Sequence, residues 1–310
     1  MPIKALREVI FLKIEATYNT DPVPVAATDS ILVRNLSCTP LELVYAERNN
    51  ALPFFGNQGQ IKAGDMVKME FDIEAAGAGA VAGTPGFGAA LKGCALSETL
   101  TPTTGPMTYA PISTAEQSVA VYFNWDGLMH KMTGARGTTS LKLAKGGTPM
   151  IHFAFTGLYG SITDVALGVP VLTAFQKPLN VNKANTTFTL HGFAGVLADL
   201  SFDQGNTINY VNLPNSEEVR FVDRKSRGSV TIELPLIAAK DFFTIIRAET
   251  AGVLALVQGT TAGNKFKLDA ANVQLTNPKY SEADGAAMLQ MGMEFLPSSA
   301  GNDEFTYKTI

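Results

Sequence analysis

The chain carries one amphipathic pattern twice. Val67-Lys68-Met69-Glu70-Phe71-Asp72-Ile73 alternates apolar and charged positions, as a strand with one buried face does. Val230-Thr231-Ile232-Glu233-Leu234 repeats the alternation with a Glu in the matching slot. A helical stretch follows each copy. Phe87, Leu91, Cys94 and Ala95 are apolar at helical spacing, and Ala238, Phe242, Ile245 and Ile246 repeat that template. Both predicted helices run into the same dipeptide, Glu98-Thr99 and Glu249-Thr250. A duplicated unit predicts two similar domains side by side, the arrangement of a part of a symmetric assembly.

Around these copies the pattern is that of short strands and turns. Asp21-Pro-Val-Pro24 forbids a regular element, since proline removes donors and restricts its neighbours, so residues 1–30 read as an arm. Strand-like sequence begins at Ser30-Ile-Leu-Val33 and resumes at Leu41-Glu-Leu-Val-Tyr45. A Gly/Asn/Gln-rich loop over 47–65 carries Phe54 and Phe55 and reads either as a contact loop or as a loop whose two rings fold back onto their own domain. Asp126-Gly127 joins the apolar runs 119–123 and 128–132, the strongest short hairpin signal. Gly146-Gly147 joins 141–143 to 151–155. The later half follows the same plan: 253–257 with 265–268 across Thr261-Ala-Gly-Asn264, then 273–275 with 288–295 across Asp284-Gly285. Residues 160–185 have little periodicity and read as a connection. The predicted domains are 1–178, with the arm and contact loop, and 179–310. The tail from Pro297 to Ile310 is polar, then one edge strand. The expected fold is mainly β (α+β): two tandem antiparallel β-sandwich or open-barrel units, each with one short flanking helix.

Composition narrows the function classes. Of 310 residues, 46% are hydrophobic and 17% charged, which excludes a disordered chain and supplies material for two cores. The low charge and 28 glycines fit a surface largely covered by neighbours. A formal net charge of −4 argues against a protein that grips nucleic acid, which needs a basic face. It does not argue against one past which nucleic acid slides. Cys94 fits the apolar stripe of the first helix as a small core residue, and Cys38 is the only other cysteine. No segment reads as a membrane helix or a signal peptide.

No catalytic constellation emerges. Gly86-Phe-Gly88 lacks the third glycine of a dinucleotide fingerprint, and no phosphate-binding loop or nucleophile elbow occurs. His130 and His152 fall on predicted strands, His191 elsewhere, and none has companions at metal-ligand spacing. Neither a cofactor nor a metal is expected. The outward strand faces, Lys68/Glu70/Asp72 and Thr231/Glu233, are candidates for a lumen or for solvent. The cluster Arg220, Arg224, Lys225 and Arg227 reads as a subunit contact more than a DNA patch. Trp125, the one tryptophan, suits an interface anchor or the cover of a core edge.

Several stretches, in this order, resemble the major tail tube proteins of long, non-contractile phage tails, most closely those of transposable siphophages. They are Lys13-Ile-Glu-Ala-Thr-Tyr-Asn-Thr-Asp-Pro22, Gly127-Leu-Met-His-Lys-Met-Thr-Gly-Ala-Arg-Gly137, Phe155-Thr-Gly-Leu-Tyr-Gly160, Ala184-Asn-Thr-Thr-Phe-Thr-Leu-His-Gly192 and Leu275-Thr-Asn-Pro-Lys-Tyr-Ser-Glu-Ala-Asp-Gly285. The resemblance implies a structural, non-enzymatic protein of the virion tail, assembled in the host cytoplasm. Its sheets would join around stacked rings into a conduit for the genome. It also implies tape measure, tail terminator and distal tail proteins as partners, DNA in transit without specific binding, and no membrane binding. Most members of that family have one such domain and form hexameric rings, so the resemblance together with the duplication implies three chains to a ring of pseudo-sixfold symmetry. The alternatives are a distal tail hub or other ring-forming adaptor and a carbohydrate-binding sandwich. One Trp and eight dispersed Tyr residues make a poor sugar platform.

Overall fold

The computed structural model describes residues 3–100 and 104–310. Among these, strands dominate and three helices are short. The first half runs β1 (Glu8–Ile14), α1 (Ala26–Asp29), β2 (Ser30–Ile31), β3 (Arg34–Glu47), β4 (Gln60–Glu74), α2 (Gly88–Lys92), β5 (Thr99–Leu100), β6 (Met107–Tyr109), β7 (Val119–Trp125), β8 (Leu128–Ala144) and β9 (Met150–Asp164). The second runs β10 (Thr186–Leu190), β11 (Leu197–Asp203), β12 (Asn206–Leu213), β13 (Ser216–Arg224), β14 (Arg227–Glu233), α3 (Phe242–Arg247), β15 (Gly252–Gln258), β16 (Phe266–Ala283), β17 (Ala286–Phe295) and β18 (Thr306–Thr309). The fold is mainly β and its ladders are antiparallel.

Alternation does what the pattern requires. Val67, Met69, Phe71 and Ile73 of β4 are buried, and so are Val230 and Ile232 of β14. Asp126-Gly127 and Asp284-Gly285 each place two successive residues at positive φ, the turn whose twist matches that of the flanking strands.

The two halves pair their strands in the same order. The first half reads β1-β7-β8-β9-β4-β3. The second reads β10-β15-β16-β17-β14-β11. They share a bulge: Val119 and Val121 face Ala135 and Met132, while Gly252 and Leu254 face Val273 and Ala270. This landmark equates Ala135 with Val273 and Phe155 with Met293. Through the next ladders it equates Met69 with Gly228 and Glu74 with Glu233. The match read from sequence is therefore displaced by four residues, and Glu70 corresponds to Ser229. A period-two pattern slides by any even number without changing its buried face, so only cross-strand partners fix the alignment.

The helices differ in the same way. Asp241 caps α3, its carboxylate accepting from Thr244 N at 2.9 Å, and Glu249 then turns the chain at positive φ toward β15. Glu98-Thr99 instead leads into β5 and the β5–β6 hairpin, which the first half alone possesses. The shared dipeptide is not a shared structural position.

Three further expectations change. Residues 1–30 are not a free arm; the first two lie outside the described residues. Residues 8–14 form β1, with Ile10, Phe11 and Leu12 buried against β7, because the apolar run outweighs the prolines after it. Glu15 is buried and accepts from Asn19 N, Ser118 Oγ and Gly134 N at 2.6–2.8 Å. The contact loop narrows to 48–59, since β3 and β4 extend as a long hairpin on either side. The C-terminal strand is no edge: β18 lies between β16 and β6.

The connection over 165–185 contains no strand, yet the halves are fastened elsewhere. Residues 140–144 of β8 pair with 199–203 of β11. Gln204 Nε2 and Asn206 Nδ2 both donate to Cys94 O, at 2.7 and 3.0 Å. One contiguous apolar core takes side chains from both halves, including Leu91, Phe155, Phe202, Phe242 and Tyr307. Cys94 is fully buried within it.

Candidate assembly surface

Within one sheet of sixteen strands, the join between β8 and β11 makes a continuous run of eight, β3-β4-β9-β8-β11-β14-β17-β16. One face is the core. Side chains of the other face line up in rows, because directly paired residues project to the same side. One row is Arg34, Asp72, His152, Ser140, Asp203, Arg227, Glu294 and Gln274. The next is Glu74, Met150, Lys142, Ser201, Ser229, Gly292 and Thr276.

Lys68, Glu70, Asp72, Thr231 and Glu233 all lie on this polar face, brought there from both halves. Lys68 pairs with Glu42 at 2.7 Å. Asp72 accepts from Asn35 Nδ2 at 2.7 Å and meets His152 Nδ1 at 2.7 Å. Glu70 and Glu233 are exposed. Asp199 belongs to the same face, and desolvation holds its carboxyl above the usual range. Carboxylates outnumber cations among these residues, and the hydroxyls of Ser140, Ser201, Ser229 and Thr276 lie between them.

The candidate contact residues divide. Phe54 and Phe55 stand at the tip of the β3–β4 hairpin, 67% and 107% exposed, and touch no core. Leu41, Tyr45, Leu52 and Ile61 continue the exposed apolar surface along that hairpin. Trp125 is partly engaged by its own chain: it stacks on Phe123 at 6.1 Å and donates from Nε1 to Ala5 O at 3.3 Å. Arg220 is exposed on β13 and pairs with Glu218 two residues away. Arg227 is exposed on the polar face beside Asp203.

Arg224 is no surface contact. Its side chain is 14% exposed and binds Glu304, which is 7% exposed. It also donates to Ile112 O at 2.9 Å and Asn302 Oδ1 at 3.0 Å, so it braces the first half against the C-terminal segment. The alternation of β13 turns it inward, away from the exposed Asp223 and Lys225.

Sequence reasoning missed the β12–β13 hairpin, whose signal was Pro214-Asn215 between two strand-like runs. It clasps the first half. Val219 N donates to Tyr18 Oη at 2.6 Å, and Val219 O accepts from Arg136 at 2.8 Å. The Arg136 guanidinium lies over the rings of Tyr18 and Phe221. Tyr210 Oη accepts from Asp65 N at 3.2 Å.

The histidines are dispersed. His130 stacks on Phe123 at 5.7 Å, and burial lowers its pKa. His191 sits at a positive-φ turn with Nε2 2.8 Å from Val273 O. Among the described residues, no three His, Cys, Asp or Glu side chains gather as a metal site, and no helix is long and apolar enough to cross a membrane. The chain matches no protein-family model, and no curated protein is similar to it at a significant level.

Proposed function

We propose that this chain is the subunit of a self-assembling hollow tube of stacked rings, the tail tube of a long-tailed, non-contractile phage, through which the genome passes. The observation that carries the reading is the run of eight strands, which has one polar face and unpaired strand edge at both ends. β3 pairs only with β4, and the far part of β16 only with β17, among the described residues. Open strand edges are aggregation hazards unless a partner consumes them, and head-to-tail union of unlike edges closes a ring when the rotation is right. Three chains, each with two equivalent halves, would make a pseudo-sixfold ring.

With the polar face turned inward, its surplus of carboxylates repels phosphates, and its hydroxyls and amides offer no fixed cation lattice to hold them. The β3–β4 hairpin, with Phe54 and Phe55 at its tip, reaches out to the adjacent ring. Electron microscopy of the purified protein tests this. Hollow rods with sixfold-modulated symmetry are expected. Single rings that never stack would favour an adaptor at a tube end, and a monomer that persists at high concentration would refute both.

A further inference from the structure

We propose that rings close by pairing residues 35–39 of β3 in one copy with residues 279–283 of β16 in the next, in the register that β11 and β8 use within one chain. The inference rests on the tube reading and names its joint. Inside the chain, Ser201 faces Lys142, Phe202 faces Leu141 and Asp203 faces Ser140. The shared strand order and shared bulge carry these positions onto the other half. Ser201, Phe202 and Asp203 correspond to Ser37, Cys38 and Thr39. Lys142, Leu141 and Ser140 correspond to Ser281, Tyr280 and Lys279. The predicted pairs between copies are therefore Ser37 with Ser281, Cys38 with Tyr280 and Thr39 with Lys279.

Three features of the free edges fit this partner. On β8, the side that holds β7 as far as Ala135 then receives β11. On β16, the corresponding side holds β15 as far as Val273 and then has no partner among the described residues. Tyr280 projects toward the core side of the sheet, opposite buried Leu289, yet is 68% exposed, whereas its counterpart Leu141 is 1% exposed. A second copy supplies the cover that the second half supplies to Leu141. Finally, Pro40 offers no N–H and the β3–β4 register shifts between Thr39 and Glu42, so the regular edge of β3 ends at Thr39, the counterpart of Asp203, where β11 leaves β8.

Directly opposed residues of an antiparallel ladder are close enough for a disulfide. Tyr280→Cys alone thus sets a thiol against native Cys38 of the neighbour, while within one chain six strands lie between β3 and β16. Oxidised assemblies should give a non-reducing ladder that ends at one closed species of three chains, and Cys38→Ser added to Tyr280→Cys should abolish it. Because Tyr280 itself helps cover the joint, Ser37→Cys/Ser281→Cys on a Cys38→Ser background reads the same register from the polar face and should crosslink equally. Tubes that form without crosslinks from either pair would overturn the register and leave the tube reading standing. Failure of the unaltered chain to assemble would overturn both.

Discussion

Replacing Arg224 with Met separates a brace within the fold from a contact between subunits. Among the described residues, the guanidinium is the only cation bonded to the carboxylate of Glu304, and the second carboxylate oxygen is buried without a partner. Removing one member of a buried pair leaves an uncompensated charge, at a cost of about 3–5 kcal/mol. The hydrogen bonds to Ile112 O and Asn302 are lost with it and belong to the same cost. At a urea slope of roughly 3 kcal/mol/M, the unfolding midpoint should fall by about 1–1.7 M. Trp125 fluorescence and far-ultraviolet circular dichroism follow the transition in the first half and the whole chain. Arg220→Ala is the comparison: its pair with Glu218 is exposed, and such pairs are worth about 0–1 kcal/mol. Adding Glu304→Leu to Arg224→Met should recover much of the loss, because the apolar pair no longer strands a charge. A loss below about 1 kcal/mol for Arg224→Met, with assembly abolished, would refute the brace and restore the contact.

Phe54→Ser/Phe55→Ser should leave subunit stability unchanged within about 0.5 kcal/mol, since both side chains are exposed, while shortening tubes seen by microscopy; equal tube length would exclude the hairpin tip from stacking. Glu70→Lys/Glu233→Lys puts two cations on the polar face and should slow DNA release from reconstituted particles, most at low salt; unchanged ejection kinetics would place that face away from the lumen. For His130, burial keeps the folded imidazole below its ordinary pKa of 6.5, so the unfolded chain binds the proton first as pH falls. Stability should therefore drop as pH decreases through about 6.5 toward the folded value. His130→Phe should flatten that slope, leaving the part due to His191, which is shifted in the same direction; an unaltered slope would remove His130 from the account.

Strand and turn positions were legible because they are local. Alternation in Val67–Ile73 and the Asp-Gly turns depends on the pleat and on positive φ, which neighbouring residues dictate. The polar face was legible in part: Glu70 and Glu233 were read as outward, but that one sheet carries both depends on the β8–β11 ladder between residues about 60 apart in sequence. The same limit explains Arg224. Nothing near it announces Glu304 or Ile112, and a basic cluster on paper became one braced arginine among exposed neighbours. β1 is hidden in the sequence because Pro22 and Pro24 follow Val9–Leu12 closely, although a proline ends an element only where it stands.

The two joints, compared position by position, explain how such a chain avoids premature union. Within the chain the core-side pairs are Phe202 with Leu141 and Leu200 with Leu143, apolar contacts that fold shut once and are then buried. At the proposed joint between copies the corresponding pairs would be Cys38 with Tyr280 and Leu36 with Glu282, flanked by Lys279. Charges on an exposed edge disfavour indiscriminate pairing, so a lone subunit gains little from any single encounter. Closure changes the balance, because the last joint of a ring forms between ends already held together and forgoes the entropy of a new association. The joint inside the chain is thus written in leucine and phenylalanine, and the proposed joint between copies in tyrosine, serine and charge. On this account Tyr280→Leu/Glu282→Leu, which copies the inner joint onto the outer edge, should produce irregular aggregates in place of closed rings; well-formed tubes from that variant would show that the charged edge has no part in controlling assembly.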